Sequence, residues 1–322
     1  MDIKPNFYDE FHCIADQCSM TCCMQWKIAV DENTVSKWKR TSLDGKRLDA
    51  SVRKNGREGI IKLDKRGYCP YLEEGLCRLV TTFGEDMLSE TCHTFPREIH
   101  EFDDRRELSL VSCCPAVIDF LHNSDELTFR NLRESSGDIY YMIRNLMMDI
   151  VENREYDIHS ALLMAFYILL DLYEKEEITP ADIEELSRLA EDILENNTDM
   201  HMDAFKKELS VYEPLFRKYL VSEIFTNMLI PDSDLEAMVV MFQWICMEYA
   251  VIRQGIFLKW FSHYDDNNAH PLSYDTVRDY IVVIARMTGY DQDDIYEYME
   301  NSFRDILWEW SYLWLIMGGF VR

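Results

Sequence analysis

The spacing of hydrophobic and polar residues changes between residues 121 and 137. Before that point the apolar runs are short and are separated by turn residues. The stretch "GIIKLDKRGYCPYLEEGLCRLV" has one apolar run, a break that contains glycine and a second run, which predicts a hairpin of short strands. The stretch "EIHEFDDRRELSLVS" alternates on both sides of Asp103-Asp104 and predicts a second hairpin. Between the two, "GEDMLSETCHTF" predicts a short helix that Pro96 ends.

After Gly137 the apolar residues recur at helical spacing. In "DIYYMIRNLMMDIVEN" they form one face, which consists of Ile139, Met142, Ile143, Leu146, Met147 and Ile150. The stretch "HSALLMAFYILLDLYEK" is apolar almost all round, which predicts a buried helix. In "TPADIEELSRLAEDILEN" a helix is predicted with Thr179 as its N-cap, Pro180 at its first position and Asp182 as the capping-box acid. Further helices are predicted around 203–229, 233–261, 273–288 and 291–316.

These patterns predict a mainly α protein. Residues 1–122 form a cysteine-rich N-terminal module with short hairpins, and this module is attached to a helical domain, residues 123–322. A chain of 322 residues that is 48% hydrophobic can bury one large core or two modest ones. The N-terminal module lacks long apolar faces, and modules of this kind generally need covalent or metal cross-links to be stable.

Cysteine usage is strongly uneven. Nine of the ten cysteines lie in the first 114 residues, and only Cys246 follows. The N-terminus "MDIKPNFYDEF" has no basic segment leading into an apolar one, so we expect a soluble cytoplasmic protein, in which disulfides are rare. Cys246, on the apolar face of a helix, is typical of a core thiol. Clustered cysteines in a cytosolic chain instead favour metal binding over disulfides or a set of buried free thiols.

The spacing of the cysteines leaves the type of metal open. Zinc sites commonly show two C-x2-4-C pairs, whereas here the ligands would come from several loops at irregular spacing. Iron–sulfur clusters of the 4Fe-4S type also take four thiolates, and proline follows a ligand in Cys69-Pro70 and Cys114-Pro115, as in ferredoxin-type sites. One site or two are both compatible with the count. The candidate metal ligands are Cys13, Cys18, Cys22, Cys23, Cys69, Cys77, Cys92 and Cys114.

Charge and hydropathy exclude two classes of partner. A net charge of −26 and the lack of a dominant Lys/Arg run argue against nucleic acid. An acidic surface serves solubility, and it also attracts lysine-bearing partners. The most apolar stretch, "LEAMVVMFQWICMEYAVI", is interrupted by Gln243 and Glu248, which argues against a membrane span. The sequence also lacks the glycine-rich turn of dinucleotide-binding folds. The C-x3-C-x2-C spacing that is usual in radical S-adenosylmethionine enzymes is absent too, because Gln25 stands where the third cysteine would be.

With these residues assembled, the chain resembles the flagellin lysine-N-methylase family, a branch of the bacterial cysteine-cluster proteins described as zinc- or iron-chelating. The resemblance rests on three blocks within residues 8–117, which are "YDEFHCIADQCSMTCCMQWKIAVDENTVSKW", "YCPYLEEGLCRLVTTFGEDMLSETCHTFPR" and "ELSLVSCCPAV". The third block departs from the family because Cys113 and Cys114 stand where one cysteine is expected. The position next to Pro115 favours Cys114 as the counterpart.

The resemblance implies methyl transfer from S-adenosylmethionine to lysine side chains of flagellin, with the cysteines holding an iron–sulfur cluster. A lysine ammonium must first be attracted and then lose its proton, because its ordinary pKa is about 10.4. Acids and tyrosines around a semi-apolar cleft would serve, but composition cannot select among 59 acids and 18 tyrosines. The rival interpretations are a non-catalytic metal-binding or redox-sensing module and a structural zinc protein.

Three further residues in these blocks have both a functional and a structural interpretation. Arg97 is the candidate catalytic residue, because its guanidinium can pair with a carboxylate of the donor or of the protein. A structural ion pair with a neighbour such as Glu85 explains it equally well. Trp26 and Asp31 have the same two interpretations, with structure favoured.

Overall fold

A computed structural model describes residues 1–24, 27–55, 58–132, 138–175, 178–179, 182, 203–261, 271–288, 292–303 and 308–317. Residue contacts separate the chain into two compact units. The helical unit comprises Met1–Asp9, Ile99–Cys113 and Val117–Arg322. The thiol unit comprises Glu10–Glu98 and Cys114–Ala116. The division predicted at residue 122 concerns independently folding domains and stays a prediction.

The described chain is mainly α with several small sheets, as the hydrophobic pattern predicted. Its helices are α1 (Glu32–Trp38), α2 (Arg78–Phe83), α3 (Glu90–Thr94), α4 (Pro115–Asn123), α5 (Ile139–Glu152), α6 (Ile158–Tyr173), α7 (Asp203–Ser210), α8 (Glu213–Glu223), α9 (Leu235–Phe261), α10 (Tyr274–Thr288), α11 (Gln292–Phe303) and α12 (Trp310–Ile316). Its strands are β1 (Asp2–Pro5), β2 (Ala29–Val30), β3 (Ser42–Leu43), β4 (Lys46–Arg47), β5 (Val52–Asn55), β6 (Glu58–Ile61), β7 (Leu72–Glu73), β8 (Leu76–Cys77), β9 (Arg97–Glu101), β10 (Arg106–Leu110) and β11 (Phe129–Arg130).

The second predicted hairpin is confirmed. Strands β9 and β10 are neighbours in a four-stranded sheet of order β11-β1-β10-β9. The Phe102 N–H donates to the Arg105 carbonyl at 2.8 Å and closes the turn around Asp103-Asp104. Strand β1 pairs in parallel with β10, with Ile3 opposite Glu107. The first residues of the chain are therefore joined to a segment about one hundred residues later, which the local pattern did not predict.

The first predicted hairpin is wrong in its pairing. Strand β6 pairs with the preceding β5 and with β2, so the apolar run at 58–61 finds its partner upstream. The following segment forms a small hairpin of its own from β7 and β8. Glu74 and Gly75 join these strands with positive φ angles of 51° and 81°, the combination that a two-residue type I′ turn requires. A Cβ at Gly75 would lie 3.0 Å from the Cβ of Asp16, so a close approach also favours glycine.

Several predicted helices are confirmed, and two are divided. The segments at 139–152 and 158–173 are helical, and the long helix at 235–261 lies where apolar periodicity placed it. The segment predicted as one helix at 203–229 is α7, α8 and a π-helical turn at Ile224–Met228. Helix α8 begins at Glu213 with Pro214 in its first turn, because proline lacks the N–H that the interior of a continuous helix needs. The segment predicted at 291–316 is likewise divided into α11 and α12.

The start signal at Thr179 is confirmed as a local capping interaction. The Thr179 N–H and hydroxyl both donate to the Asp182 carboxylate, at 2.9 and 2.6 Å. These two bonds, together with an ion pair to Lys175 at 2.9 Å, hold the pKa of Asp182 below its ordinary value. The rest of the helix predicted after Thr179 lies outside the described residues.

The long helix α9 supplies much of the core of the helical unit. Residues Leu235–Trp260 are long and apolar enough to cross a membrane by length and composition, but 67% of their most apolar window is buried inside the protein. Helix α9 contacts α6, α8, α10, α11 and α12. A helix that is covered by other helices on most of its surface is typical of a protein core.

Candidate functional site

Backbone pairing in the thiol unit brings three predicted ligands together. The Cys69 N–H donates to the Cys23 carbonyl at 2.8 Å, so two cysteines that are 46 residues apart in the chain become neighbours. The Leu72 N–H donates to the Cys69 carbonyl at 3.1 Å, and Leu72 lies opposite Cys77 in the β7–β8 hairpin. One turn and one short hairpin therefore place Cys23, Cys69 and Cys77 in the same region.

A fourth predicted ligand, Cys92, is carried by the short helix α3. Ser89 caps this helix, and the Cys92 N–H donates to the Ser89 hydroxyl at 3.3 Å. The Asp31 carboxylate accepts the N–H of Thr34 at 2.8 Å and the N–H of Glu90 at 3.0 Å. Burial raises the pKa of Asp31, but these N–H bonds outweigh it and hold the pKa below its ordinary value. Asp31 therefore has a structural role, in which it ties the start of α1 to the start of α3.

These four cysteines pack against one hydrophobic core. Cys69 is itself a buried member of that core, and Cys23, Cys77 and Cys92 are half-buried and pack around it. Trp38 is fully buried at its centre, with its ring edge-on to Tyr71 at 5.5 Å and its indole N–H bonded to the Met87 carbonyl at 2.9 Å. The thiols are therefore held on a formed scaffold instead of being scattered over the surface.

The thiols are close enough to influence one another electrostatically. Burial first, and then the charges of Cys23, Cys77 and Cys92, raise the pKa of Cys69 to about 12. Burial and the charges of Cys23 and Cys77 raise the pKa of Cys92 to about 11. The thiol of Cys22 bonds to Cys23, which raises the pKa of Cys22 and lowers that of Cys23. Like charges at this proximity disfavour one another, and a bound cation would remove that cost.

The remaining predicted ligands differ in position. Cys13 is exposed, and its charge also raises the pKa of Cys22, which places the two near each other. The Cys18 thiol donates to the Met20 carbonyl at 3.2 Å. Cys114 groups with the thiol unit, whereas Cys113 groups with the helical unit, where its carbonyl accepts a bond from Arg286 at 3.0 Å. Which of the two is a ligand stays a prediction.

The donor set fits a thiophilic metal by its chemistry. Thiolates are the ligands of both zinc and iron–sulfur sites, and at least five thiols here interact pairwise. Among the described residues, no group of three or more His, Cys, Asp and Glu side chains is already arranged around a single point that would hold an ion. The thiols converge without forming a coordination shell, and the ligand list stays a prediction.

Arg97 is positioned by the backbone of the thiol unit. Its guanidinium donates to the Phe11 carbonyl at 3.1 Å and lies over the Phe11 ring at 5.4 Å from the centroid. These contacts tie the end of the unit to its beginning. The predicted role of Arg97 in holding a donor carboxylate stays a prediction, and Trp26 lies outside the described residues.

A cleft of about 560 Å³ opens in the helical unit, on one side of α9. Helices α9, α10 and α11 form it, and its walls are mostly apolar. Its lining residues are Trp244, Met247, Glu248, Val251, Met287, Thr288, Asp294, Ile295 and Tyr298. The Trp244 and Tyr298 rings stand edge to face with their centroids 6.0 Å apart. The volume lies within the range of about 300–1,000 Å³ that is usual for ligand sites.

Glu248 is the buried acid of this cleft, at 8% exposure. Its carboxylate accepts the hydroxyl of Tyr219 and, at 2.6 Å, that of Thr288. Burial raises the pKa of Glu248, and the two hydroxyls oppose that effect. Burial and the charge of Glu248 raise the pKa of nearby Glu223 to about 8. The floor of the cleft therefore carries a carboxyl group in a poorly hydrated environment.

Sequence reasoning missed this cleft. In the sequence, Glu248 interrupts an apolar stretch. A carboxylate in the middle of a core helix is itself a signal, because acids are almost never fully buried without a partner. Its partner Tyr219 lies on α8 and Thr288 at the end of α10. Nothing local in the sequence indicates that these helices meet.

A comparison with models of protein families matches the helical part of the chain. The model of the FliB lysine N-methylase C-terminal domain matches residues 186–316, a range that contains α7 to α12 and the cleft. A flagellar biosynthetic protein FliU of Salmonella muenchen is 34% identical over 137 residues, which cover 38% of this chain and 78% of that protein. No solved structure matches the chain.

Two longer relatives are named for an enzymatic activity. The lysine-N-methylases of Salmonella typhimurium and Salmonella choleraesuis are each 36% identical over 131 residues. The match covers 38% of this chain but only 33% of either relative, so it spans about a third of their length. The cysteine blocks within residues 8–117 carry the resemblance that the sequence displays, whereas the matched domain model lies in the helices.

Proposed function

Because the chain belongs to the flagellin lysine-N-methylase family, we propose that it methylates lysine side chains of a protein, with S-adenosylmethionine as the methyl donor and flagellin as the substrate. Two relatives are named for methylation of lysine, and a third is named for flagellar biosynthesis. The strongly acidic chain suits a lysine-bearing substrate, because opposite charge steers association.

The observation that carries the proposal is the position of the matched domain model. It falls on residues 186–316, and the same residues form an apolar cleft that contains Trp244, Tyr298 and the buried carboxylate of Glu248. Methyl transfer to a lysine side chain requires a site that attracts the ammonium group and then excludes water from it. The mostly apolar walls of the cleft and the buried carboxyl group of Glu248 support this assignment.

We assign the thiol unit the role of a metal module. Five thiols interact with one another, namely Cys22, Cys23, Cys69, Cys77 and Cys92. Cys13 interacts with Cys22, and Cys18 and Cys114 are the further candidates. A 4Fe-4S cluster is the first choice and zinc the alternative, and either would supply positive charge that neutralises converging thiolates. The protein's own residues hold that region together through the Cys69–Cys23 backbone bond and the Asp31 cap.

The test is a methylation assay in the presence and absence of the metal. We expect metal-replete protein, incubated with S-adenosylmethionine and the flagellin of the same organism, to give lysines heavier by methyl increments in mass spectra. Metal-free protein should be inactive if the metal orders the donor site. Arg97→Ala should lose activity and keep its metal if Arg97 holds a donor carboxylate.

The second candidate function is a non-catalytic metal-binding or redox-sensing module. The convergence of the thiols in the unit Glu10–Glu98 favours it, because that unit does not contain the cleft. Absence of both donor binding and flagellin methylation by metal-replete protein would establish this alternative. Donor binding without flagellin methylation would retain the enzyme class and change the substrate. A cytoplasmic location is part of the proposal, since S-adenosylmethionine chemistry on an unexported flagellin requires it.

A further inference from the structure

The cleft on α9 has its charge at the bottom and its apolar surface at the rim. Glu248 is 8% exposed, whereas Val251, Met287 and Tyr298 are 51%, 62% and 51% exposed. Large apolar side chains exposed together mark interaction sites more often than isolated ones do. A ligand that matches this gradient has an apolar stem and a cationic tip.

We propose that this cleft receives the substrate lysine, with the ammonium paired to Glu248 and the methylene stem lying between Trp244, Met287 and Tyr298. The assignment rests on the proposed function for the identity of the reaction, but the recognition itself follows from the residues. Aromatic faces attract cations, and long lysine stems pack well on apolar surface. Asp294, exposed at the edge of the cleft, adds a negative charge on the approach.

The hydrogen bonds of Glu248 leave room for an ammonium. Tyr219 donates to one carboxylate oxygen and Thr288 to the other, so each oxygen keeps a second acceptor position. In the part of the chain that the structure describes, these two hydroxyls are the hydrogen-bond partners of the carboxylate, and neither is cationic. A buried carboxylate without a counter-charge binds a cation favourably, because the ion pair forms where water competes poorly.

The same carboxylate can take the proton that lysine must lose. Only the neutral amine has the lone pair that attacks, so the proton passes from the ammonium to Glu248. The nitrogen lone pair then forms the N–C bond to the methyl group of the sulfonium donor. The methyl–sulfur bond breaks with its electron pair left on sulfur, which gives a neutral thioether and a methylated ammonium. Burial raises the pKa of Glu248 toward the range in which a carboxylate accepts protons readily.

Binding can be measured without catalysis by NMR of protein labelled with carbon-13 at the methionine methyl groups. Met247 and Met287 line the cleft, and Met148 in α5 and Met164 in α6 lie outside it as references. The probe is Nα-acetyl-lysine methylamide, and its norleucine analogue has a similar stem without the charge. We expect the lysine probe to shift Met247 and Met287 saturably, and the norleucine analogue to bind at least roughly tenfold more weakly.

Two pairs of variants test the assignment. Glu248→Gln removes the charge and should weaken lysine binding roughly 10- to 100-fold, as expected for a charge-assisted hydrogen bond. Glu236→Gln is its control on the same helix, because Glu236 bonds to Tyr296 and Tyr173 and does not line the cleft. If Glu248→Gln fails to fold, Met287→Arg decides, since it places a cation on an exposed rim position. Val211→Arg is the matched control, because Val211 is 72% exposed and lies outside the cleft lining.

The outcomes separate this inference from the proposed function. Absence of shifts at Met247 and Met287, or equal binding of the norleucine analogue, overturns the inference. Undiminished methylation of flagellin by Met287→Arg also overturns it and leaves the function standing. Lysine binding in the cleft that is lost in Met287→Arg but not in Val211→Arg supports it. If the protein binds lysine in the cleft but methylates no protein, the proposed function is wrong, and the cleft remains an amine-binding site.

Discussion

The thiol unit and the helical unit build their cores from different materials. In the helical unit α6 has 16 residues and α9 has 27, and buried aromatic side chains such as Phe166 and Phe242 fill the space between helices. In the thiol unit the helices α1 to α3 have 5 to 7 residues. Its core contains Cys69, with three more cysteines packed against it. The helical unit gains stability from the length of its apolar helices. The thiol unit lacks long apolar faces, and its core includes thiols where a larger core would have hydrocarbon side chains.

The two units also bury different kinds of polar group. In the helical unit Glu107 forms ion pairs with Arg105 and with Arg144, and all three side chains are almost fully buried. In the thiol unit the buried titratable groups are mostly neutral thiols whose pKa values burial has raised. Charges already paired inside the protein need no further ligand, whereas converging thiols are suited to one. From this difference we expect removal of metal to destabilise the thiol unit, and substitution of buried carboxylates to destabilise the helical unit.

The largest expected effect comes from loss of the metal. Cys92→Ser, or removal of metal by a chelator, should unfold much of the unit Glu10–Glu98, because binding energy at such sites is folding energy. Cys22→Ser should act in the same way. Metal analysis with hydrogen exchange would follow the change, with α1 losing protection while α6 and α9 keep theirs. Substoichiometric iron and zinc in anaerobically prepared wild-type protein would contradict the metal assignment outright.

The second largest effect, a loss of stability in the helical unit, is expected from Glu107→Gln. It leaves the guanidinium of Arg144 buried without its counter-charge, which should lower the free energy of unfolding by about 3–5 kcal/mol. Urea denaturation followed by circular dichroism measures this change. Asp2→Asn is the matched control, because it breaks an exposed ion pair with Arg106 on the adjacent strand and should have little effect. Equal losses in the two variants would show that the buried network is not special.

Glu107 also distinguishes the two units by sequence position. It lies within the segment 1–122 predicted as the cysteine-rich module, but it contacts Arg144 of the helical unit. If Glu107→Gln destabilises α5 and leaves metal content unchanged, the contact-based grouping describes the energetics better than a boundary at residue 122. Loss of metal in this variant would favour the boundary predicted from the sequence.

Sequence predicted the elements of this protein better than their partners. Helices α5, α6 and α9 follow from apolar periodicity, which is local to each segment. Strand β1 has four residues and pairs with β10 a hundred residues away, so no local signal marks it. The sequence analysis does not predict the hairpin β3–β4, although the dipeptide Asp44-Gly45 is typical of a two-residue hairpin turn. The φ angles of these residues, 50° and 75°, fit a type I′ turn.

The candidate sites show the same limit. Cysteine count alone indicated a metal module, but which thiols converge depends on the backbone bond between Cys23 and Cys69. The buried face of α5 includes Arg144, which the apolar pattern of that helix did not predict, because its partner Glu107 lies on a distant strand. The depth of Glu248 in the cleft likewise depends on Tyr219 from another helix. Pairing across the chain is the information that periodicity does not contain.

A third prediction concerns Cys246, the lone cysteine of the helical unit. It is fully buried on α9, and burial keeps its pKa well above its ordinary value, so the thiol stays neutral. Cys246→Ser introduces a hydroxyl into an apolar environment and should lower the free energy of unfolding by about 1–3 kcal/mol. Metal content should not change. A metal loss equal to that of Cys92→Ser would assign Cys246 to the metal site and remove the contrast between the two units.

The smallest expected change, measured per pH unit, is a pH dependence that arises from Glu223. Its carboxylate accepts the Ser112 hydroxyl and a bond from Asn227, and Glu248 and Tyr219 are the titratable groups near it. Burial first, and then the charge of Glu248, raise the pKa of Glu223 to about 8 in the folded protein, above its ordinary value of 4.5.

The sign of the effect follows from proton binding. Between pH 4.5 and 8 the folded state keeps a proton on Glu223 that the unfolded state has released, so the free energy of unfolding falls as the pH rises through this window. The contribution of one proton is at most about 1.4 kcal/mol per pH unit. Glu223→Gln should flatten this slope in urea titrations followed by circular dichroism at several pH values between 5 and 8. The control, Glu236→Gln, should retain it, since Glu236 lies outside this buried pair. A wild-type slope that survives in Glu223→Gln would show that other groups carry the pH dependence and that this carboxylate is ionised in the folded protein.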